Sequence, residues 1–146
     1  MVSSDVGGFF GNPDSELLVR WYQAGSLQPF FRAHAHHDSK RREPWVMGEP
    51  TTTHLRNAVL GRYQLLPFYY TLYHTASVVG YPVMRPLWAM YPSDTTTFGM
   101  DDQFLAGADL LVKPVTSAGV TSMPVYFPGT SSDLWYDVTT AKPVRL

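Results

Sequence analysis

The sequence predicts an α/β region that gives way to antiparallel β structure near residue 80. Three observations predict it. Two helical stretches in the first half each follow a short, turn-bounded apolar segment. From Tyr81 the helical periodicity stops, and short apolar runs alternate with Pro, Gly, Ser and Thr clusters. Finally, two strand–helix units cannot close a sheet alone, because a β/α barrel takes about 250 residues. The first half therefore reads as part of a larger architecture.

Taken in order, Asp5-Val6-Gly7-Gly8-Phe9-Phe10-Gly11 is a turn-rich segment suited to follow a strand. Asn12-Pro13 reads as an N-cap followed by proline at the first helical position, with Asp14 and Glu16 favourable in the first turn. Leu17, Leu18, Trp21 and Tyr22 form an apolar stripe, and Gly25 is a helix stop. Gln28–His34 reads as a short strand, and residues 35–50 as a long polar loop of the kind that often carries function. A second helix runs from Thr53 towards Val79 on Leu55, Val59, Leu66, Tyr69, Leu72, Tyr73 and Ala76, with Pro67 expected to kink or split it and Gly80 to end it. Beyond it, Val83–Tyr91, Gln103–Val115, Met123–Phe127 and Leu134–Val138 are expected strands, and Asp101-Asp102 a solvated turn. This places one unit over 1–80 and another over 81–146.

Composition narrows the function. A 45% hydrophobic content argues for a packed core, and a net charge of -1 gives no footprint for nucleic acid or an acidic membrane surface. No apolar run approaches the roughly 20 residues of a membrane span. Met1 to Asp5 lack the basic and apolar regions of a signal peptide. The absence of cysteine excludes disulfides, thiolate nucleophiles and cysteine metal sites. Aromatic residues reach 14%, and such rings serve both as core material and as platforms for sugar faces.

Polar groups concentrate where the two strands end. Asp5 precedes Gly7-Gly8, and Arg32 and His34, two apart, share one face of their strand. A carboxylate, a guanidinium and an imidazole converging near Phe9 and Trp45 would suit a polyhydroxylated ligand. The alternative is a buried Asp5–Arg32 salt bridge with His34 as a satisfied core histidine. His34, His36 and His37 also invite a metal reading, completed by Asp38, His54 or His74 only if the fold gathers them. Arg41-Arg42-Glu43 reads as a charged face or as a substrate rim.

Asp5-Val6-Gly7-Gly8-Phe9, then Phe31-Arg32-Ala33-His34, then Arg62-Tyr63-Gln64-Leu65-Leu66-Pro67-Phe68-Tyr69-Tyr70 resemble consecutive blocks of glycoside hydrolase family 31. Pro82-Val83-Met84-Arg85-Pro86-Leu87 and Asp102-Gln103-Phe104-Leu105-Ala106-Gly107 resemble the next two, so the resemblance covers nearly the whole chain. It implies the last two βα units of a (β/α)8 barrel followed by the start of an antiparallel β-sandwich, cut from a protein several times longer. Met1-Val2-Ser3-Ser4 stand where the family has an apolar strand.

The family cleaves α-glucosidic bonds with retention, which needs a nucleophile and an acid/base carboxyl about 5–5.5 Å apart. Its Trp-x-Asp-Met-Asn-type and Gly-Asp-Asn-type motifs carry them, and neither occurs here. The resemblance implies that Asp5 and His34 bind glucose in the −1 subsite and that Phe9 and Arg32 are neighbouring pocket positions, with no catalytic residue, cofactor or metal in this chain. Arg32-Ala33-His34-Ala35-His36 with Arg41-Arg42-Glu43-Pro44-Trp45 most resembles the branch that trims glucose from N-glycans. That branch implies the endoplasmic reticulum lumen and a partner β subunit. A non-catalytic carbohydrate-binding or interaction module is the competing expectation.

Overall fold

The computed structural model describes residues 3–130 and 132–144, so the reading of Met1 and Val2 lies outside the described residues. Helix α1, Ser15–Gly25, buries Leu18 and Tyr22. Its N-cap is Asp14, whose carboxylate accepts from the Leu17 N–H at 2.8 Å, and not the expected Asn12. A charged acceptor at the positive end of the helix is the stronger cap. Asn12 instead accepts from the Lys40 N–H at 2.8 Å, tying the two loops at this end. Gly25 is the last helical residue, and its role is space: an added Cβ would lie 2.5 Å from Val6 Cγ2.

Among the described residues the expected strands in the first half shrink to one parallel bridge, Val6 with Ala33, where the Val6 N–H meets the Arg32 carbonyl at 3.1 Å. Pro29 has no N–H to offer a ladder. The carbonyls of Ser26, Gln28 and Pro29 are taken by the Arg62 guanidinium at 3.2, 2.7 and 2.9 Å. Val6, Leu18, Tyr22 and Leu55 form the first core cluster, with Phe31, Met47 and Val59 against it.

The long expected helix is two helices, as Pro67 foretold. Helix α2, Thr51–Gln64, begins at a Pro50 cap without a side-chain bond, two residues ahead of the expected Thr53. Helix α3, Leu66–Val79, starts with proline in its first turn and ends at Gly80, left-handed at φ 79°. None of these helices is long and apolar enough to cross a membrane. Arg62 at the end of α2 lies 3.9 Å from the Tyr69 ring centroid, and the Tyr69 hydroxyl donates to the Leu27 carbonyl at 2.5 Å. Burial raises that phenol's pKa. The Tyr73 hydroxyl donates to the Pro29 carbonyl.

The second half is antiparallel, as expected, but with shorter strands. β1 (Met84–Pro86), β2 (Phe104–Ala106) and β3 (Leu110–Val112) form one sheet in the order β1-β2-β3. Pro86 ends β1, and Leu87–Met90 turn helical where Val83–Tyr91 was expected to stay extended. Gly107, at φ 64°, folds the expected Gln103–Val115 strand into the β2–β3 hairpin. Met123–Phe127 forms no ladder, because the buried Gln103 amide pairs with Tyr126 in place of a strand: Nε2 donates to its carbonyl at 2.7 Å and Oε1 accepts its N–H at 3.1 Å. Among the described residues Leu134–Val138 keeps only the Tyr136–Pro143 bridge. Asp102 is exposed as expected but pairs with Lys113.

Helix α3 joins the halves. Tyr69, Val83 and Ala106 are the buried members of a second core cluster that takes in Leu72 and Leu110. Glu16 accepts from the Gly119 N–H at 2.8 Å and Arg20 donates to the Val120 carbonyl at 2.7 Å, so α1 also holds the C-terminal part.

Arg62→Met removes a charged donor from three carbonyls in a buried setting, and unfolding in urea should show a loss of about 3 kcal/mol or more. The Tyr126 hydroxyl, donating to Asp94 at 2.6 Å, is the largest cause holding that carboxyl below its usual range. A carboxyl with a lowered folded pKa stabilises above its unfolded pKa and loses that contribution as pH falls through the folded value. The stability difference between native chain and Tyr126→Phe should therefore be present at neutral pH and narrow below about pH 4.

Candidate functional site

The parallel bridge sets Asp5 and Arg32 beside each other at neighbouring strand ends. Arg32 Nη2 donates to Asp5 Oδ1 at 2.8 Å. The side chains are 30% and 50% exposed, so this is an accessible ion pair and not the buried salt bridge considered from sequence. After Asp5 the chain reverses sharply. The Gly8 N–H bonds back to the Asp5 carbonyl at 2.8 Å, and Gly7 and Gly8 adopt φ of 96° and 82°, which only glycine takes without strain.

That turn delivers Phe9 to the loop after the second strand. The Phe9 ring centroid is 5.7 Å from those of both His34 and His36, and its carbonyl accepts from the His36 N–H at 2.8 Å. His34 is exposed, contrary to its alternative reading as a core histidine. The four candidate residues thus form two touching pairs, Asp5–Arg32 and Phe9–His34, on adjacent loops. Trp45, expected nearby, is exposed and joins no ring pair among the described residues.

Arg42 is what sequence reasoning missed. It is 7% exposed, so it is not part of a solvated charged face. Its Nη1 donates to the carbonyls of Gly7 at 2.8 Å and Gly8 at 2.7 Å, and its Nη2 to Gly11 at 2.6 Å. The signal was present: a run of left-handed glycines turns its carbonyls away from any ladder, and buried carbonyls need donors. Arg41 is exposed, as on a charged face, and pairs with the partly buried Glu43.

His34 lines a cavity of about 310 Å³ with Tyr22, Lys40, Arg41, Arg42 and Glu43. The hydrogen bond from Arg41 is the largest cause lowering the Glu43 pKa. Burial first, and then the Glu43 charge, raises that of the Tyr22 phenol. Glu43 Oε2 and Arg42 Nε are buried without a hydrogen-bond partner among the described residues.

The residues that could gather around a metal are His36, His37 and Asp38, with ligand atoms within 4.8 Å of one another. His34 is not among them, and His54 and His74 lie apart on α2 and α3. The trio is consecutive on one turn, with His37 and Asp38 largely exposed and both imidazoles within 3.5 Å of the Asp38 carboxylate.

Residues 1–72 match the model of the glycosyl hydrolases family 31 TIM-barrel domain, and residues 80–145 that of the glycosyl hydrolase family 31 C-terminal domain. The chain is 56% identical over 143 residues to neutral alpha-glucosidase AB of Dictyostelium discoideum, covering 97% of this chain and 15% of that protein. It is 55% identical over 139 residues to a probable glucan 1,3-alpha-glucosidase of Arabidopsis thaliana, covering 95% of this chain and 15% of that protein. Among solved structures, a glucosidase II alpha subunit in its Glc1Man2-bound form superposes with a TM-score of 0.89 at 47% identity, covering 95% of this chain and 15% of that one. An ER glucosidase II heterodimer of catalytic subunit and regulatory-subunit binding domain gives 0.90 at 46% identity, with 97% and 15% covered. The chain thus spans about 15% of the length of these relatives.

An exposed ion pair contributes roughly 0–1 kcal/mol. Asp5→Asn should therefore leave the thermal midpoint of the chain within a few degrees of the unaltered protein, measured by circular dichroism; a large drop would mean that the carboxylate is there for structure.

Proposed function

The chain belongs to glycosyl hydrolase family 31, and we propose that it supplies the glucose-gripping side of a retaining α-glucosidase site that trims glucose from N-glycans. One observation carries this reading: the Val6–Ala33 bridge brings Asp5, Phe9, Arg32 and His34 together at adjoining loops on one side of the fold. Such a set fits a sugar. Among the described residues Asp5 is met at Oδ1, by Arg32, which leaves Oδ2 to accept from a glucose hydroxyl. The His34 imidazole exchanges a hydrogen bond with another hydroxyl, and the Phe9 ring packs on the C–H face.

Bond cleavage in this reading belongs to carboxylates elsewhere in a complete enzyme. Retention uses two carboxyl groups about 5–5.5 Å apart, one attacking and one passing the proton. The two family motifs that carry them do not occur in this sequence. We accordingly assign residues 1–80 to the barrel end and 81–146 to the proximal sandwich, a division supported by the Gly80 helix stop and the first strand at Met84. Likeness to a glucosidase II heterodimer supports a β-subunit partner and residence in the endoplasmic reticulum lumen.

Two samples test the proposal on a chromogenic α-glucoside: the purified chain, and a chimera in which it replaces the matching segment of the Dictyostelium relative. The chain should be inert and the chimera active, with KM raised about tenfold or more by Asp5→Ala. Turnover by the chain alone at ordinary rates of about 1–10³ s⁻¹ would overturn the assignment. An inert chimera, with glucose binding by the folded chain that weakens on Asp5→Ala, would favour the non-catalytic binding module.

A further inference from the structure

We infer that Arg42 is a positioning residue for sugar binding: its buried guanidinium latches the loop that presents Phe9, and so fixes the shape of the glucose pocket without touching the sugar. The inference rests on the reading of Asp5, Phe9 and His34 as glucose contacts.

Three observations lead to it. The carbonyls held by Arg42 flank Phe9 on both sides, Gly7 and Gly8 before it and Gly11 after it. One rigid planar group thereby spans the whole bow of the loop. The glycines concerned are left-handed, at φ 96°, 82° and 73°. Glycine has the most backbone freedom to lose, so a loop built on three of them has little intrinsic preference for one shape. Arg42 also comes from the loop that follows His34, which makes it a tie between the two halves of the pocket. The Lys40 to Asn12 bond at 2.8 Å and the His36 to Phe9 bond at 2.8 Å tie the same loops, but each engages a single acceptor.

The residue type matters. Arginine offers five donors in a fixed fork, whereas lysine places three donors on one point. The acceptors here are distributed over both Nη1 and Nη2, so a single ammonium cannot reproduce the arrangement. Close packing adds to the constraint: an added Cβ on Gly7 would lie 3.2 Å from both Cδ and Nη1 of Arg42.

The test uses the active chimera with Arg42→Lys and Arg42→Met, normalised to active sites titrated with a tight-binding inhibitor. Loosening the loop should raise KM for the chromogenic α-glucoside about tenfold in Arg42→Met and several-fold in Arg42→Lys, with a smaller change in kcat. A purely structural arginine would lower the yield or melting temperature of folded enzyme and leave KM per active site unchanged. That result would overturn the inference. Should Arg42→Met fail to fold, the KM of Arg42→Lys decides alone. If Asp5→Ala raises KM while both Arg42 variants leave it unchanged, the latch is wrong and the sugar site stands. If neither position affects KM, the sugar-site reading itself fails.

Discussion

Backbone carbonyls in glycine- and proline-rich turns lie outside any ladder and need other donors, and in this chain two guanidiniums provide them. Arg62 takes the carbonyls of Ser26, Gln28 and Pro29 at the turn below the second strand. Arg42 takes those of Gly7, Gly8 and Gly11 at the loop above the first. An unpaired buried carbonyl costs about 1–3 kcal/mol, which applies in full to Ser26, Pro29 and Gly7; Gln28 and Gly8 are half-buried and Gly11 is exposed. Six carbonyls are met this way in a region where regular pairing supplies one bridge.

The two arginines act at opposite ends of the same strand pair. Arg62 works with Tyr69 and Tyr73, whose hydroxyls donate to the Leu27 and Pro29 carbonyls, and so anchors α3 beneath the turn. The same helix carries Leu72 against Gly107 of the β2–β3 hairpin, so it packs on both the turn and the sheet. At the other end, Arg42 works among the residues that reach the surface. Structure is concentrated below the strands, and exposed polar groups lie above them.

Elements governed by local rules were legible in the sequence. Pro67 split the second helix, Gly80 ended it in a left-handed turn, and the texture change after Gly80 marked the antiparallel sheet. Arg32 and His34 stood out as candidates by strand alternation and Asp5 by its place before Gly7-Gly8, and the family blocks put Phe9 beside them. What escaped depended on partners distant in the chain. Asn12 looked like the helix cap because its rival, Asp14, was separated from it only by Pro13, and its own bond to Lys40 lies across a loop. Arg42 looked like surface charge because the carbonyls it serves are more than thirty residues upstream. Strand lengths were overestimated for a related reason: the Gln103 amide and the Arg62 guanidinium replace ladder bonds that apolar runs otherwise advertise.

In the proposed function these loops grip a sugar while the bond-breaking groups lie elsewhere. The most direct measurement is a crystal structure of the complete chimeric enzyme with glucose bound. Asp5 and His34 should lie within about 3 Å of glucose hydroxyls, with the Phe9 ring against the sugar and Arg42 still on the Gly7, Gly8 and Gly11 carbonyls with no contact to the ligand. Glucose bound away from Asp5 and His34, or Arg42 turned out of the loop to meet the sugar, would contradict it.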